Sequence, residues 1–181
     1  ALSQLFSEIP SDFELSILAV QHLSDNCDIN FIVDRLSEQC SLTVKEATEK
    51  KALQKGLIFL APPDYHLLVE QDYSLSLSTD DKVNFSRPSI DVLFESAAIV
   101  FGNSLIGIIL TGASNDGARG AQRIKKEGGI VLVEDPQSAE FPYMPQAAIN
   151  ACRPDHILKV KDIGAILPSI VKDRKPSSPQ E

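Results

Sequence analysis

Two residues of this chain end apolar runs with side chains that can hold or move a proton. His22 closes Ile17-Leu18-Ala19-Val20-Gln21, and Asp116 follows the run 105–110 through Thr111-Gly112-Ala113-Ser114-Asn115. If both runs are parallel strands of an open α/β sheet, both side chains lie at its carboxyl edge, where such sheets place their chemistry. An imidazole oriented by a carboxylate is a general base near neutral pH, and the carboxylate stabilises the imidazolium formed during acyl transfer. His22 and Asp116 are therefore two thirds of a hydrolase triad, and the missing third is a hydroxyl.

Each residue also has a plainer reading. His22 can be a loop histidine bound to backbone groups, and Asp116 can cap the helix that opens at Gly117-Ala118-Arg119-Gly120. Ser114 sits in Gly112-Ala113-Ser114-Asn115-Asp116, a partial match to the Gly-x-Ser-x-Gly elbow. Asp116 replaces the second Gly, which permits the sharp turn that projects a nucleophile, so Ser114 reads as structural. His66, after Ala61-Pro62-Pro63-Asp64-Tyr65, either lines the same edge or packs within a hairpin, and His156 has no role assigned. Asp80-Asp81 and Glu134-Asp135 read as solvated acidic pairs. Cys27, Cys40 and Cys152 lack metal-ligand spacing and read as buried free thiols of a reducing, cytoplasmic compartment. No phosphate loop, dinucleotide fingerprint or metal-ligand cluster stands out, so no cofactor and no metal are expected.

The elements that must position these groups alternate. Leu2, Leu5, Phe6 and Ile9 have helical spacing. Residues 15–21 form a strand of a length suited to burial on both faces near the sheet centre, and residues 28–36 return to helical spacing. Residues 56–61 form a strand that breaks at Pro62-Pro63, and His66–Glu70 with Tyr73–Leu77 form a short hairpin. Ser89 caps a helix with apolar positions at 90, 93, 94, 97 and 98. Strand 105–110, helix 116–126, strand 130–133, helix 145–151, strand 156–160 and a helix from Asp162 or Ile163 complete the order. This pattern predicts an α/β fold: a three-layer α/β/α, doubly wound, mostly parallel sheet with a short antiparallel hairpin.

At 181 residues with 43% hydrophobic content the chain suits one core, and a net charge of −8 argues against nucleic-acid binding and anionic membranes. No apolar run is long enough to span a membrane, so no membrane insertion is expected. Residues 1–171 read as one domain with something preceding Ala1, and 172–181 as a polar linker or disordered tail. Lys45, Lys50, Lys51 and Lys55 read as a solvated face, with attraction of an acidic partner as the alternative.

Together Val20-Gln21-His22-Leu23, Ala61-Pro62 with His66, residues 87–94 (Arg-Pro-Ser-Ile-Asp-Val-Leu-Phe), Leu110-Thr111-Gly112 with Asn115-Asp116-Gly117, and Met144-Pro145 resemble the catalytic domain of the chemotaxis protein-glutamate methylesterases, the CheB family. The resemblance implies a serine hydrolase that demethylates glutamate methyl esters on the cytoplasmic helices of chemoreceptors and, in many members, deamidates glutamines. It implies His22 as general base, Asp116 as orienting acid, and Ala113 as the backbone donor of the oxyanion hole. The family's nucleophile lies in a Gly-x-Ser-x-Gly-Gly turn a few residues before the Ala-Leu matched by Ala1-Leu2. By this comparison the domain lacks its first strand and nucleophile turn, and the Ser is expected upstream of Ala1. Residues 138–145 resemble methylesterases fused to a receptor methyltransferase, favouring a fused methyltransferase over a regulatory receiver domain.

Two other functions compete. A non-catalytic chemotaxis interaction domain on the same scaffold accounts for the absent Ser. A phosphoacceptor receiver domain shares the layering but fits the hairpin and the His22 strand end poorly.

Overall fold

The computed structural model describes residues 1–23 and 27–174; the side chain of Arg174 lies outside that description. Helices α1 (Leu2–Ser7), α2 (Ile29–Ser37), α3 (Ile90–Phe101), α4 (Ala118–Lys126), α5 (Tyr143–Cys152) and α6 (Val160–Arg174) surround strands β1 (Ile17–Ala19), β2 (Thr43–Glu46), β3 (Leu57–Leu60), β6 (Ile106–Ile109), β7 (Ile130–Glu134) and β8 (His156–Leu158). Strands β4 (His66–Val69) and β5 (Leu75–Ser78) form the antiparallel hairpin. The anticipated α/β architecture is present. Two parallel three-stranded sheets run in the orders β1-β3-β2 and β6-β7-β8.

The layering follows from period-two burial along the strands. Ile58 and Leu60 of β3 and Leu132 of β7 face one core with Leu5, Phe6 and Ile9 around α1, Ile29 and Leu36 of α2, and Ile163 and Leu167 of α6. Phe59 faces the hairpin and Leu93 and Ala97 of α3, while Val131 and Val133 face Ala98, Ala121, Ile124 and Ala148 of α3, α4 and α5. Helices thus cover both faces, α1, α2 and α6 on one side and α3, α4 and α5 on the other.

The structure corrects several boundaries. Strand β2, unanticipated from Thr43-Val44-Lys45-Glu46, pairs with β3 in register Val44↔Ile58 and forms the outer edge of its sheet. Tyr73, expected in a strand, lies in the hairpin turn at φ +63, where its N–H donates to Glu70 O at 2.9 Å. Helix α6 continues through the start of the expected tail, whose remaining residues 175–181 lie outside the described residues. The three cysteines are half-buried rather than fully enclosed. Among the described residues no helix is long and apolar enough to cross a membrane.

The largest departure concerns the sheet centre. Strand β1 pairs only with β3, and β6 only with β7. Each leaves one side without a strand partner among the described residues. Ile17, Leu18, Ile106, Ile108 and Leu110 are only half-buried there, although their composition is that of fully enclosed strands. Among the described residues His22 therefore follows a terminal strand of a three-stranded sheet.

Candidate active site

Strand ends β1 and β6 converge on one buried carboxylate. His22 Nε2 lies 2.7 Å from Asp116 Oδ2. Asp116 is 1% exposed, and it also accepts from the backbone N–H of Ile90 at 2.6 Å, the Ser89 hydroxyl at 2.6 Å, the Asp91 N–H at 3.1 Å and Asn84 Nδ2 at 3.3 Å. Burial alone would push its pKa up. The hydrogen bonds from His22, Ser89, Ile90 and Asp91 outweigh that penalty and hold it at about 2. An ionised Asp116 is an obligate acceptor, so Nε2 carries the proton of the neutral ring and Nδ1 is its basic nitrogen. In the serine-protease arrangement the carboxylate is bonded to Nδ1 instead.

Asp116 does cap a helix, but not the one that follows it. Its carboxylate takes the first N–H groups of α3, some 25 residues earlier in sequence, whereas α4 has Gly117 at its N-cap and no side-chain cap. The positive end of α3 adds to the stabilisation of the charge. Ser89 is the N-cap of α3 by position, yet its hydroxyl serves Asp116 instead of the helix N–H groups. Gly117 makes the junction feasible. At φ +92 a Cβ would be strained, and it would meet Ile109 Cδ1 at 2.5 Å and Ile90 Cγ2 at 2.9 Å.

A further ring of groups fixes this arrangement. Asp91, 2% exposed, accepts from Gly120 N at 2.7 Å and from Asn84 Nδ2 at 2.9 Å, so α3, α4 and residue 84 are tied together. Burial raises its pKa, opposed by the Gly120 and Asn84 hydrogen bonds. His66 is buried, donating from Nε2 to Asp81 O at 3.1 Å and accepting at Nδ1 from Ser89 N at 3.2 Å. It supports Ser89 and does not reach into the site. Exposed His156 starts β8. Ser114 turns inward on its own loop, its hydroxyl accepting from Asp116 N at 3.2 Å.

Ala113 is exposed beside a pocket of about 510 Å³ that it lines with Phe141, Pro142, Tyr143 and Gln146. The loop leading to it is strapped to residues 141–144. Gly112 N donates to Phe141 O at 3.0 Å, Met144 N donates to Gly112 O at 2.9 Å, and Phe141 N donates to Thr111 Oγ1 at 2.7 Å. A side chain at residue 112 would meet Met144 Sδ at 2.0 Å, so only Gly admits this approach.

Glu134, whose sequence beside Asp135 and Pro136 is that of a solvated acid, is buried instead. It is 4% exposed, and its Oε2 accepts from Thr111 N at 2.7 Å. Burial raises its pKa, and that hydrogen bond opposes the shift. The available signal was its place: like His22, it ends an apolar strand run at the carboxyl edge. Asn84 and Ser89 carried no comparable signal as partners of Asp116. Lys45, by contrast, lies on outer strand β2, with β3 between it and β1, as a solvated face requires.

Residues 1–167 match the family described as CheB methylesterase. A Leptospira interrogans protein named as a candidate protein-glutamate methylesterase/protein-glutamine glutaminase is 43% identical over 168 residues, covering 92% of this chain and 86% of that protein. The Sulfurimonas denitrificans protein-glutamate methylesterase/protein-glutamine glutaminase is 32% identical, covering 97% of this chain and 50% of its own length. The chain thus spans most of the first relative and half of the second. The crystal structure of the Thermotoga maritima CheB methylesterase catalytic domain superposes with a TM-score of 0.89 at 31% identity, covering 94% of this chain and 91% of that one. With this sequence match and this fold, the chain belongs to the CheB methylesterase family.

Proposed function

We propose that these residues form most of a catalytic domain that hydrolyses glutamate methyl esters on the cytoplasmic helices of chemoreceptors. In this reading His22 is the general base, Asp116 orients it, and the N–H of Ala113 stabilises the oxyanion. The nucleophilic Ser comes from a segment preceding Ala1. The observation that carries the reading is the 2.7 Å contact between His22 and a carboxylate already saturated by the α3 N-terminus. That surrounding keeps Asp116 charged, so it can hold an imidazolium without taking its proton. The sides of β1 and β6 that have no strand partner among the described residues support this location for the nucleophile. A parallel strand between them would join the two sheets, cover their half-buried apolar residues and end at the edge that carries His22 and Asp116.

The steps follow from these roles. The Ser hydroxyl attacks the glutamyl carbonyl as Nδ1 of His22 takes its proton, and the new oxyanion is met by backbone N–H donors. Collapse breaks the ester C–O bond, and the imidazolium returns the proton to the departing methoxide, giving methanol. Water then repeats the sequence on the acyl-enzyme, leaving a glutamate carboxylate and a free Ser. On a glutamine side chain the same steps release ammonia. A fused methyltransferase or a regulatory domain is the partner this reading assigns to the rest of the protein.

Labelling of the full-length protein with a fluorophosphonate, followed by peptide mapping, tests the reading. The expected result is a single modified Ser upstream of Ala1, with labelling lost in His22→Ala. Modification at Ser114, or labelling indifferent to His22, overturns it.

A further inference from the structure

The turn at residues 83–86 sets a large apolar ring in an unfavourable place. Val83 N donates to Ser86 O at 3.1 Å and Ser86 N to Val83 O at 2.9 Å, while Asn84 and Phe85 both take positive φ, +50 and +63. Asn tolerates this mirror-image turn and Gly favours its second position, but Phe does neither. The ring is 98% exposed, so no packing within the described residues offsets the backbone strain.

The turn is also rigidly tied to the site. Asn84 bonds both Asp91 and Asp116, the carboxylate that holds His22. On the other side of the turn, Arg87 donates to Asp64 Oδ1 from Nη2 at 2.7 Å and from Nε at 3.0 Å, and from Nη1 to Thr79 O at 2.7 Å and Asp80 O at 2.9 Å. Beside Ala113, the exposed rings of Phe141 and Tyr143 are held by the strap to Thr111 and Gly112. Exposed aromatic groups on two separate anchors thus flank the site: Phe85 follows the residue that bonds Asp116, and Phe141 and Tyr143 line the pocket beside Ala113.

We infer that Phe85, together with Phe141 and Tyr143, forms an aromatic rim that grips apolar side chains neighbouring the scissile glutamyl ester on the protein substrate. The inference rests on the methylesterase reading. Rigid aromatic rings bury large apolar area at little cost in conformational entropy, the property of interface anchors. Charge favours the same conclusion: the chain carries −8, and every turnover on a glutamyl ester creates another carboxylate. A chain of net negative charge repels that product carboxylate and does not attract an acidic substrate, whereas an apolar grip is indifferent to it. The rim distinguishes a protein-borne ester from a free one and leaves the chemistry to His22 and Asp116.

The test uses Phe85→Gly and Phe85→Leu in the full-length protein, with methylated receptor in native membranes and free glutamate γ-methyl ester as the two substrates. Removing the strain predicts a Phe85→Gly Tm higher by about 2–4 °C. For the receptor, KM rises about tenfold with kcat unchanged, as loss of an anchor ring predicts, and Phe85→Leu restores most of it. Hydrolysis of the free ester stays the same. Unchanged receptor kinetics in Phe85→Gly, or an equal loss on both substrates, overturns the rim. If the unsubstituted protein hydrolyses neither substrate, the esterase reading fails first, and the rim with it.

Discussion

Asp116 and His22 touch, yet they live in opposite surroundings. The carboxylate is enclosed, saturated by donors from α3 and residue 84, and fixed by Gly117 and the Asp91–Gly120 bond. The imidazole has a side chain 30% exposed and follows strand β1, one side of which has no strand partner among the described residues. The carboxylate is thus held on several sides, and the imidazole, which the proposed mechanism makes the base, lies at the exposed edge. The difference teaches where preorganisation resides: the charge held by many donors sits inside, and the group to which the proposed mechanism assigns proton transfer sits at the edge.

If that contrast is correct, Asp116→Asn in the full-length protein is the most damaging change. The amide cannot satisfy the converging N–H donors as a carboxylate does, and it no longer holds the imidazole as a charged acceptor. We expect kcat to fall by about 10⁴-fold, the size of effect seen when a triad aspartate becomes an asparagine. Stopped methanol assays on methylated receptor measure it, and a loss below tenfold would mean that Asp116 is chiefly a helix cap.

Gly112→Ala strikes the strap beside Ala113. The new methyl meets Met144 Sδ, so unfolding in urea should show a loss of about 1–3 kcal/mol. The companion Met144→Ala should recover part of that loss by making room; no recovery would mean that the close approach is not what the Gly serves.

The enclosed charge also sets a pH dependence. Asp116 is held at about 2 against an ordinary 3.8, so its contribution to stability is fully present above pH ~4 and is lost as pH falls towards 2, about 2 kcal/mol in all. Asp91 and Glu134 have raised values and act in the opposite sense, favouring the fold when protonated and losing that contribution as pH rises through their folded values. Urea midpoints between pH 4 and 2 should therefore fall less steeply in Asp116→Asn than in the unsubstituted protein. Parallel slopes would remove Asp116 as the source of the acid sensitivity.

The mildest change is Ser114→Ala. It deletes one hydroxyl that accepts from Asp116 N, and we expect about 1 kcal/mol of stability lost with kcat within twofold. A large loss of turnover with intact folding would revive Ser114 as a nucleophile.

The alternation of strands and helices, and the convergence of His22 with Asp116, could be read from the chain because apolar runs end abruptly at chemically active side chains. Strand β2 escaped because its Thr43-Val44-Lys45-Glu46 buries only Val44, and a strand at a sheet edge needs little apolar content. Glu134 escaped because a charge beside Asp135 resembles a solvated turn, while the N–H that its buried carboxylate accepts from, that of Thr111, is distant in sequence. That Asp116 caps α3 was hidden for a related reason. Local sequence offers only the nearest N-terminus, and the packing of α3 against α4 supplies another. Phe85 gave no signal at all, since its meaning lies in a backbone conformation that Phe rarely adopts.

The central claim, that His22 is the base of an esterase whose hydroxyl arrives on a strand between β1 and β6, is tested most directly by methanol release. Full-length protein should release methanol from methylated receptor, and His22→Ala should do so at least about 10³-fold more slowly, with the same far-ultraviolet circular dichroism and Tm within a few degrees. Equal rates for the two proteins would contradict the account.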